Sequence, residues 1–155
     1  MDMQWLAQTI YGRALSEDEA QALAQAFRER RFAKGDVLIE QGTPSAGLMI
    51  VREGAVEVVI ERGESTLRVG GGREGFVVGE MSFLTGEPAS ATVLATEDGS
   101  AYLLSREGAE RLMQAHPNLM LGLFAYILAH HAKTVRRMNE DLVHLYAYLG
   151  GGHRR

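Results

Sequence analysis

A glycine, a carboxylate, one apolar helical turn, a Gly/Pro loop and an alternating strand succeed one another at 79–95. The run reads Gly79-Glu80-Met81-Ser82-Phe83-Leu84-Thr85-Gly86-Glu87-Pro88-Ala89-Ser90-Ala91-Thr92-Val93-Leu94-Ala95. Such a turn gathers backbone N–H groups and one acid around an anionic sugar phosphate. Other chemistries find no residues. The chain has no cysteine, which excludes a thiol nucleophile, a zinc–cysteine site and a disulfide framework. Metal-dependent β-barrel enzymes need two or three histidines and a carboxylate on their strands. All five histidines, His116, His130, His131, His144 and His153, lie after the strand-forming part. No Ser/His/Asp set and no carboxylate pair follows from strand spacing. Gly70-Gly71-Gly72 is followed by no Lys-Ser/Thr and reads as a turn rather than a phosphate loop. A binding module without a metal or a cofactor is expected, not an enzyme.

The elements that must position this turn follow from periodicity. Trp5, Leu6 and Ile10 form a short helical face, and Ser16-Glu17-Asp18-Glu19 is a capping box ahead of Leu23, Ala24 and Phe27. Arg28, Arg30 and Arg31 read as the solvated, positively charged end of that helix, so the N-terminal helices are assigned to 1–31. From Phe32 the period becomes two. Short runs at 37–39, 48–51, 55–60, 66–69, 76–78, 91–95 and 101–104 alternate with turns such as Lys34-Gly35-Asp36, Glu53-Gly54 and Asp98-Gly99. Seven or eight strands over 32–105 predict an antiparallel sandwich or barrel of jelly-roll type.

After Ser105 the pattern is helical again. A helix at 106–115 ends at His116-Pro117, and Pro117 starts the next. Along it Leu121, Phe124, Leu128, His131, Val135, Met138, Leu142, Leu145 and Leu149 recur in alternating steps of three and four. This repeat predicts a helical seam. The start of the helix, broadened by Met120, Leu123 and Ile127, packs on the barrel. The remainder calls for a second copy, giving a homodimer through Phe124, Leu128, His131, Val135, Met138, Leu142 and Leu145. Packing within the chain is the alternative. His131, on this seam, reads as a polar register residue, with pH response or a metal shared across the dimer as the functional readings. The C-terminal helices are assigned to 106–149 and a tail to 150–155.

One hydrophobic core suits 155 residues of which 46% are hydrophobic. A formal net charge of −4 argues against a surface for nucleic acid. No signal peptide or membrane-spanning run is expected, which implies a cytoplasmic protein.

The order of Lys34-Gly35-Asp36, Glu40-Gln41-Gly42, Met49-Ile50-Val51-Arg52-Glu53-Gly54, Val78-Gly79-Glu80, Pro88 with Val93, and Pro117 before a long helix resembles the cyclic nucleotide-binding domain. This module is shared by catabolite activator-type transcription factors, protein kinase A regulatory subunits and nucleotide-gated channels. The resemblance runs over 16–149. It implies an eight-stranded jelly-roll barrel flanked by helices, with the phosphate-binding cassette at 79–93 and cyclic AMP or cyclic GMP as ligand.

Carried onto this chain, the resemblance makes Glu80 the acceptor for the ribose 2′-hydroxyl and Gly79 the glycine before it. The turn with Met81 and Ser82 lines the cyclic phosphate, and Ser90, Ala91 and Thr92 fall on the last strand of the cassette. The phosphate-pairing arginine of the family is replaced by Ala89, which implies weak or lost cyclic nucleotide binding. Arg52, Arg68 and Arg73 are the candidate substitutes. On the long helix, Thr134 matches a threonine that reaches the purine, and Val135 replaces the neighbouring serine. The activator type continues into a helix-turn-helix, whereas this sequence ends soon after the long helix. A stand-alone dimeric regulatory sensor is therefore expected, with an unknown protein partner. The alternative is a ligand-free adaptor that dimerises and docks on another protein.

Overall fold

The computed structural model describes residues 1–150, and side chains as far as Tyr148. Two helices open the chain, α1 (Met3–Tyr11) and α2 (Glu17–Ala26). The Asp2 carboxylate caps α1 by accepting from the Trp5 amide. At α2 the predicted capping box is complete: Ser16 Oγ accepts from the Glu19 amide and the Glu19 carboxylate accepts from the Ser16 amide.

The helix does not reach Arg31. It stops at Ala26, and β1 (Phe27–Phe32) begins at once. Arg28, Arg30 and Arg31 therefore stand on a strand, contrary to the expected helix end. The cause lies in pairing: Phe27 to Phe32 run antiparallel to Leu104 to Gly99, and the strand buries only its two phenylalanines. Its polar middle is tolerated because β1 is an edge strand. Seven more strands follow: β2 (Val37–Ile39), β3 (Leu48–Glu53), β4 (Val56–Arg62), β5 (Ser65–Gly72), β6 (Val77–Val78), β7 (Thr92–Ala95) and β8 (Gly99–Leu104).

These strands make two four-stranded antiparallel sheets, ordered β1-β8-β3-β6 and β2-β7-β4-β5. The eight strands and the jelly-roll layering agree with expectation; the closed barrel does not, since no ladder joins the sheets among the described residues. The continuous apolar run of β3 has a direct cause. Leu48 and Ile50 face the helices, while Met49 and Val51 face the second sheet, so both sides of the strand are buried.

Between β6 and β7 lies α3 (Glu80–Thr85), the predicted apolar turn. After β8 come α4 (Arg106–Ala115), capped by Ser105, and α5 (Pro117–Gly150), which begins at the proline as expected. Leu119, Met120, Leu123 and Ile127 of α5 are buried with Leu6, Leu23, Ile50, Tyr102 and Leu112. Helix α5 crosses α1 where Gly122 leaves room for the Tyr11 ring, whose hydroxyl donates to Leu119 O at 3.1 Å. Among the described residues no helix is long and apolar enough to cross a membrane.

The predicted seam divides. Leu121, Leu128, Val135 and Leu142 face outward, together with Leu145 and Met138. Phe124 instead packs on its own core, and His131 turns to its own domain. At 100° per residue the row through 121, 128, 135 and 142 and the row through 124 and 131 lie about 60° apart round the axis, so the first faces solvent while the second begins against the domain. The Leu149 side chain and the tail from 151 lie outside the described residues.

Candidate ligand pocket

The segment 79–95 folds over the mouth of the second sheet. Gly79 adopts φ 79°, and a Cβ there would lie 2.6 Å from Gly47 O, so the turn into α3 requires glycine. It delivers Glu80 into a cavity of about 250 Å³ between the β2-β7-β4-β5 sheet, α3 and α5. Ile39, Val58, Ile60, Val69, Phe76 and Val93 make the floor and walls. The cassette's own spacing does not reveal this apolar lining; its signal in the sequence is the alternation of Val58, Ile60 and Val69 along β4 and β5.

Of the expected site residues, Gly79, Glu80, Met81, Ser82, Ala89, Ser90, Ala91 and Thr134 line the cavity. Thr92 does not. It is buried, and its Oγ1 accepts from the Gln41 amide at 3.0 Å, so its hydroxyl ties β7 to the loop after β2. The Ser82 hydroxyl is also committed, donating to Glu87 O at 2.6 Å. Ala89 is 8% exposed; its amide donates to Thr43 O at 2.9 Å and its carbonyl accepts from the Gly42 amide at 2.8 Å. The position matched to the phosphate arginine thus offers the cavity a methyl group and no free donor.

None of the three candidate substitutes lines the cavity. Arg52 bonds Asp2 at 3.2 Å and Glu74 at 3.4 Å and lies over the Trp5 ring. Arg68 pairs with Glu57 at 3.7 Å, and Arg73 pairs with Glu97. Each stem follows an outer strand or turn to a nearby carboxylate, which holds the charge on the surface.

The cavity is roofed by α5, which carries Thr134 and four residues that the resemblance did not assign: His130, His131, Arg137 and Met138. The Tyr126 hydroxyl donates to Gly75 O at 2.6 Å, and the His130 ring meets Phe76 edge-on at 4.8 Å. His131 Nε2 lies 3.1 Å from Glu80 Oε1. Thr134 Oγ1 donates to His130 O at 3.3 Å. His131, expected on the helical seam, thus lines the pocket on the domain side of α5.

Burial raises the Glu80 pKa above the ordinary carboxylate value, against its own amide and the nearby His131. Burial lowers that of His130, helped by repulsion from His131, Lys133 and Arg137. A base whose folded pKa is depressed supports the fold above its ordinary 6.5 and withdraws that support as pH falls through the folded value. The groups facing it are His131, Lys133 and Arg137 on α5 and Glu80 on α3. Glu80 pulls the other way, in the window above 4.5, where a raised carboxylate loses stability as pH rises. His130→Phe keeps the aromatic contact and removes the histidine's share. Chemical denaturation at pH 7.5 and below 6 should show a larger acid loss in the native protein than in this variant; equal losses would contradict the assignment.

Comparison with known proteins agrees with this geometry. The family model described as the cyclic nucleotide-binding domain matches residues 29–116. A cAMP-dependent protein kinase regulatory subunit of Blastocladiella emersonii is 30% identical over 105 residues, 67% of this chain and 26% of that protein. The Thermus thermophilus catabolite activator protein superposes with a TM-score of 0.69 at 26% identity, covering 88% of this chain and 62% of that one. The regulatory subunit of a cAMP-independent protein kinase A from Trypanosoma cruzi, bound to guanosine, gives 0.63 at 28% identity, covering 74% and 41%. The chain spans less than half the length of the first curated relatives it matches. Because the model covers more than half of the sequence, and its Gly79-Glu80 turn and two facing sheets stand where that model lies, the chain belongs to the cyclic nucleotide-binding domain family.

Proposed function

We propose that this protein is a regulatory module that dimerises through α5 and couples the occupancy of its pocket to that helix, holding cyclic AMP and cyclic GMP weakly or not at all. The observation that carries the reading is Ala89. A pocket with a carboxylate for sugar hydroxyls and an apolar floor keeps the means to hold a nucleoside, but at this position a buried methyl stands where a guanidinium would meet the phosphate. An anion stripped of water there loses a bidentate, charge-assisted partner. The module acts by binding rather than catalysis, since its strands carry no histidine and its buried carboxylate is matched to a helix.

Thermal shift and calorimetry test the ligand. Sub-millimolar cyclic AMP should leave the native melting temperature unchanged, and a dissociation constant in the low micromolar range would sink the reading.

Dimerisation is supported by the apolar row Leu121, Leu128, Val135, Leu142 and Leu145 on the outer side of α5. Two such rows cover one another with the spacing a helix pair needs. Sedimentation at tens of micromolar should give a dimer, and Leu128→Glu with Val135→Glu should give a monomer with an unchanged circular dichroism spectrum. A native monomer at that concentration would refute the pairing.

A second reading, a ligand-free adaptor, is favoured by the His131 contact, because the carboxylate that would receive a sugar hydroxyl already has a partner. Absence of binding to cyclic nucleotides and nucleosides alike, with the dimer intact, selects it.

A further inference from the structure

Among the described residues one guanidinium lines the pocket, and it comes from the roof. Arg137 of α5 lines the cavity, and its Nη2 lies 3.5 Å from where a Cβ on Gly70 would stand. A side chain at position 70 would crowd this approach; the glycine of β5 leaves the passage open. Among the described residues Arg137 makes no ion pair, whereas Arg52, Arg68 and Arg73 all do. The roof around it is positive: repulsion from Arg137, Lys133 and His131 acts on His130 in the same helix. Among the described residues Glu80 is the one carboxylate lining the cavity, and it is engaged by His131. Arg137 lies six positions beyond His131, a rise of about 9 Å, so its place on the helix is offset along α5 from the Glu80–His131 pair.

We propose that Arg137 is the anion-recognition residue of this pocket, so that it takes a ligand with hydroxyls at the Glu80 end and a phosphate or carboxylate at the α5 end. The inference rests on the ligand-binding reading above. It assigns the charge contact to α5 rather than to the cassette. Exposed at the mouth of an apolar pocket, the planar Arg137 guanidinium can meet an anion in bidentate fashion. Arg137 follows Val135 of the outer row by two residues and adjoins Met138 of the cavity lining, so an anion there would bear on the part of α5 proposed to meet a second copy.

The probes are cyclic AMP and cyclic di-GMP against uncharged adenosine and guanosine, titrated to millimolar concentration with the native protein, Arg137→Gln, Ala89→Arg and the double variant. The native protein should favour the anionic probes over the nucleosides. Arg137→Gln should erase that preference, costing about tenfold for one charged contact, while leaving nucleoside affinity unchanged. In the Ala89→Arg background the same change should cost little for cyclic AMP, because the cassette then holds the charge. Nucleosides bound as well as cyclic nucleotides by the native protein, or an anionic preference that survives Arg137→Gln, would overturn the proposal. So would native protein that binds no probe while Ala89→Arg binds cyclic AMP, an outcome that leaves the family reading standing. Failure of both proteins to bind any probe would overturn the ligand-binding reading itself.

Discussion

Ala89→Arg should bind cyclic AMP at least about a hundredfold more tightly than the native protein. Two charge-assisted hydrogen bonds contribute about 1.5 to 3 kcal/mol each, and their sum of about 3 kcal/mol or more corresponds to two or more decades in affinity. The site can receive the side chain, since Ala89 lines the cavity and its own backbone groups are satisfied by Gly42 and Thr43, which keeps the loop in place. Isothermal titration at neutral pH measures the gain directly. An unchanged affinity in a folded variant would mean that the cassette is shaped for something other than a phosphate.

Leu123→Ala should destabilise the fold by about 3 kcal/mol, within the 2 to 5 kcal/mol typical of emptied core sites. Leu123 is fully buried among α1, α4, α5 and the first sheet. Leu128→Ala, only five residues on, removes a side chain that is 67% exposed and should leave monomer stability within about 0.5 kcal/mol. That second change should act on self-association instead. Urea denaturation below the association range, beside sedimentation above it, separates the two effects. Equal destabilisation by both variants would mean that the helix packs with a different face inward.

Where a residue pattern reports a local cause, the sequence was legible. The Ser16/Glu19 box, the return to helix after Ser105, the proline start of α5 and the strand runs at 48–51 and 101–104 each depend on neighbours within a few positions. The missed elements depend on distant ones. Phe27–Phe32 has a charged middle that reads as the end of a helix, and it becomes a strand because β8 lies beside it, some seventy residues away in the chain. Thr92 carries the right hydroxyl on the right strand, but its partner is the Gln41 amide, which no spacing within the cassette reveals. Arg137 is hidden for a similar reason. The strand and loop arginines Arg52, Arg68 and Arg73 lie nearer the cassette in sequence, whereas the one lining the cavity among the described residues is on a helix whose angle to the sheet is set by Gly122 and Tyr11.

The crossing at Gly122 also determines what α5 does mechanically. Its last buried residue is Ile127, and about 35 Å of helix at 1.5 Å per residue runs on to Gly150. The pocket contacts at His130, His131 and Arg137 fall within about the first 15 Å of that length, the half nearer the crossing. A tilt of about 10° there sweeps the far end through about 6 Å, more than one helical turn of rise. In the dimer proposed above, α5 would act as a lever: the cavity meets it near the crossing and the outer apolar row runs further along it, so ångström-scale rearrangements around Glu80 would shift the registry of the two copies.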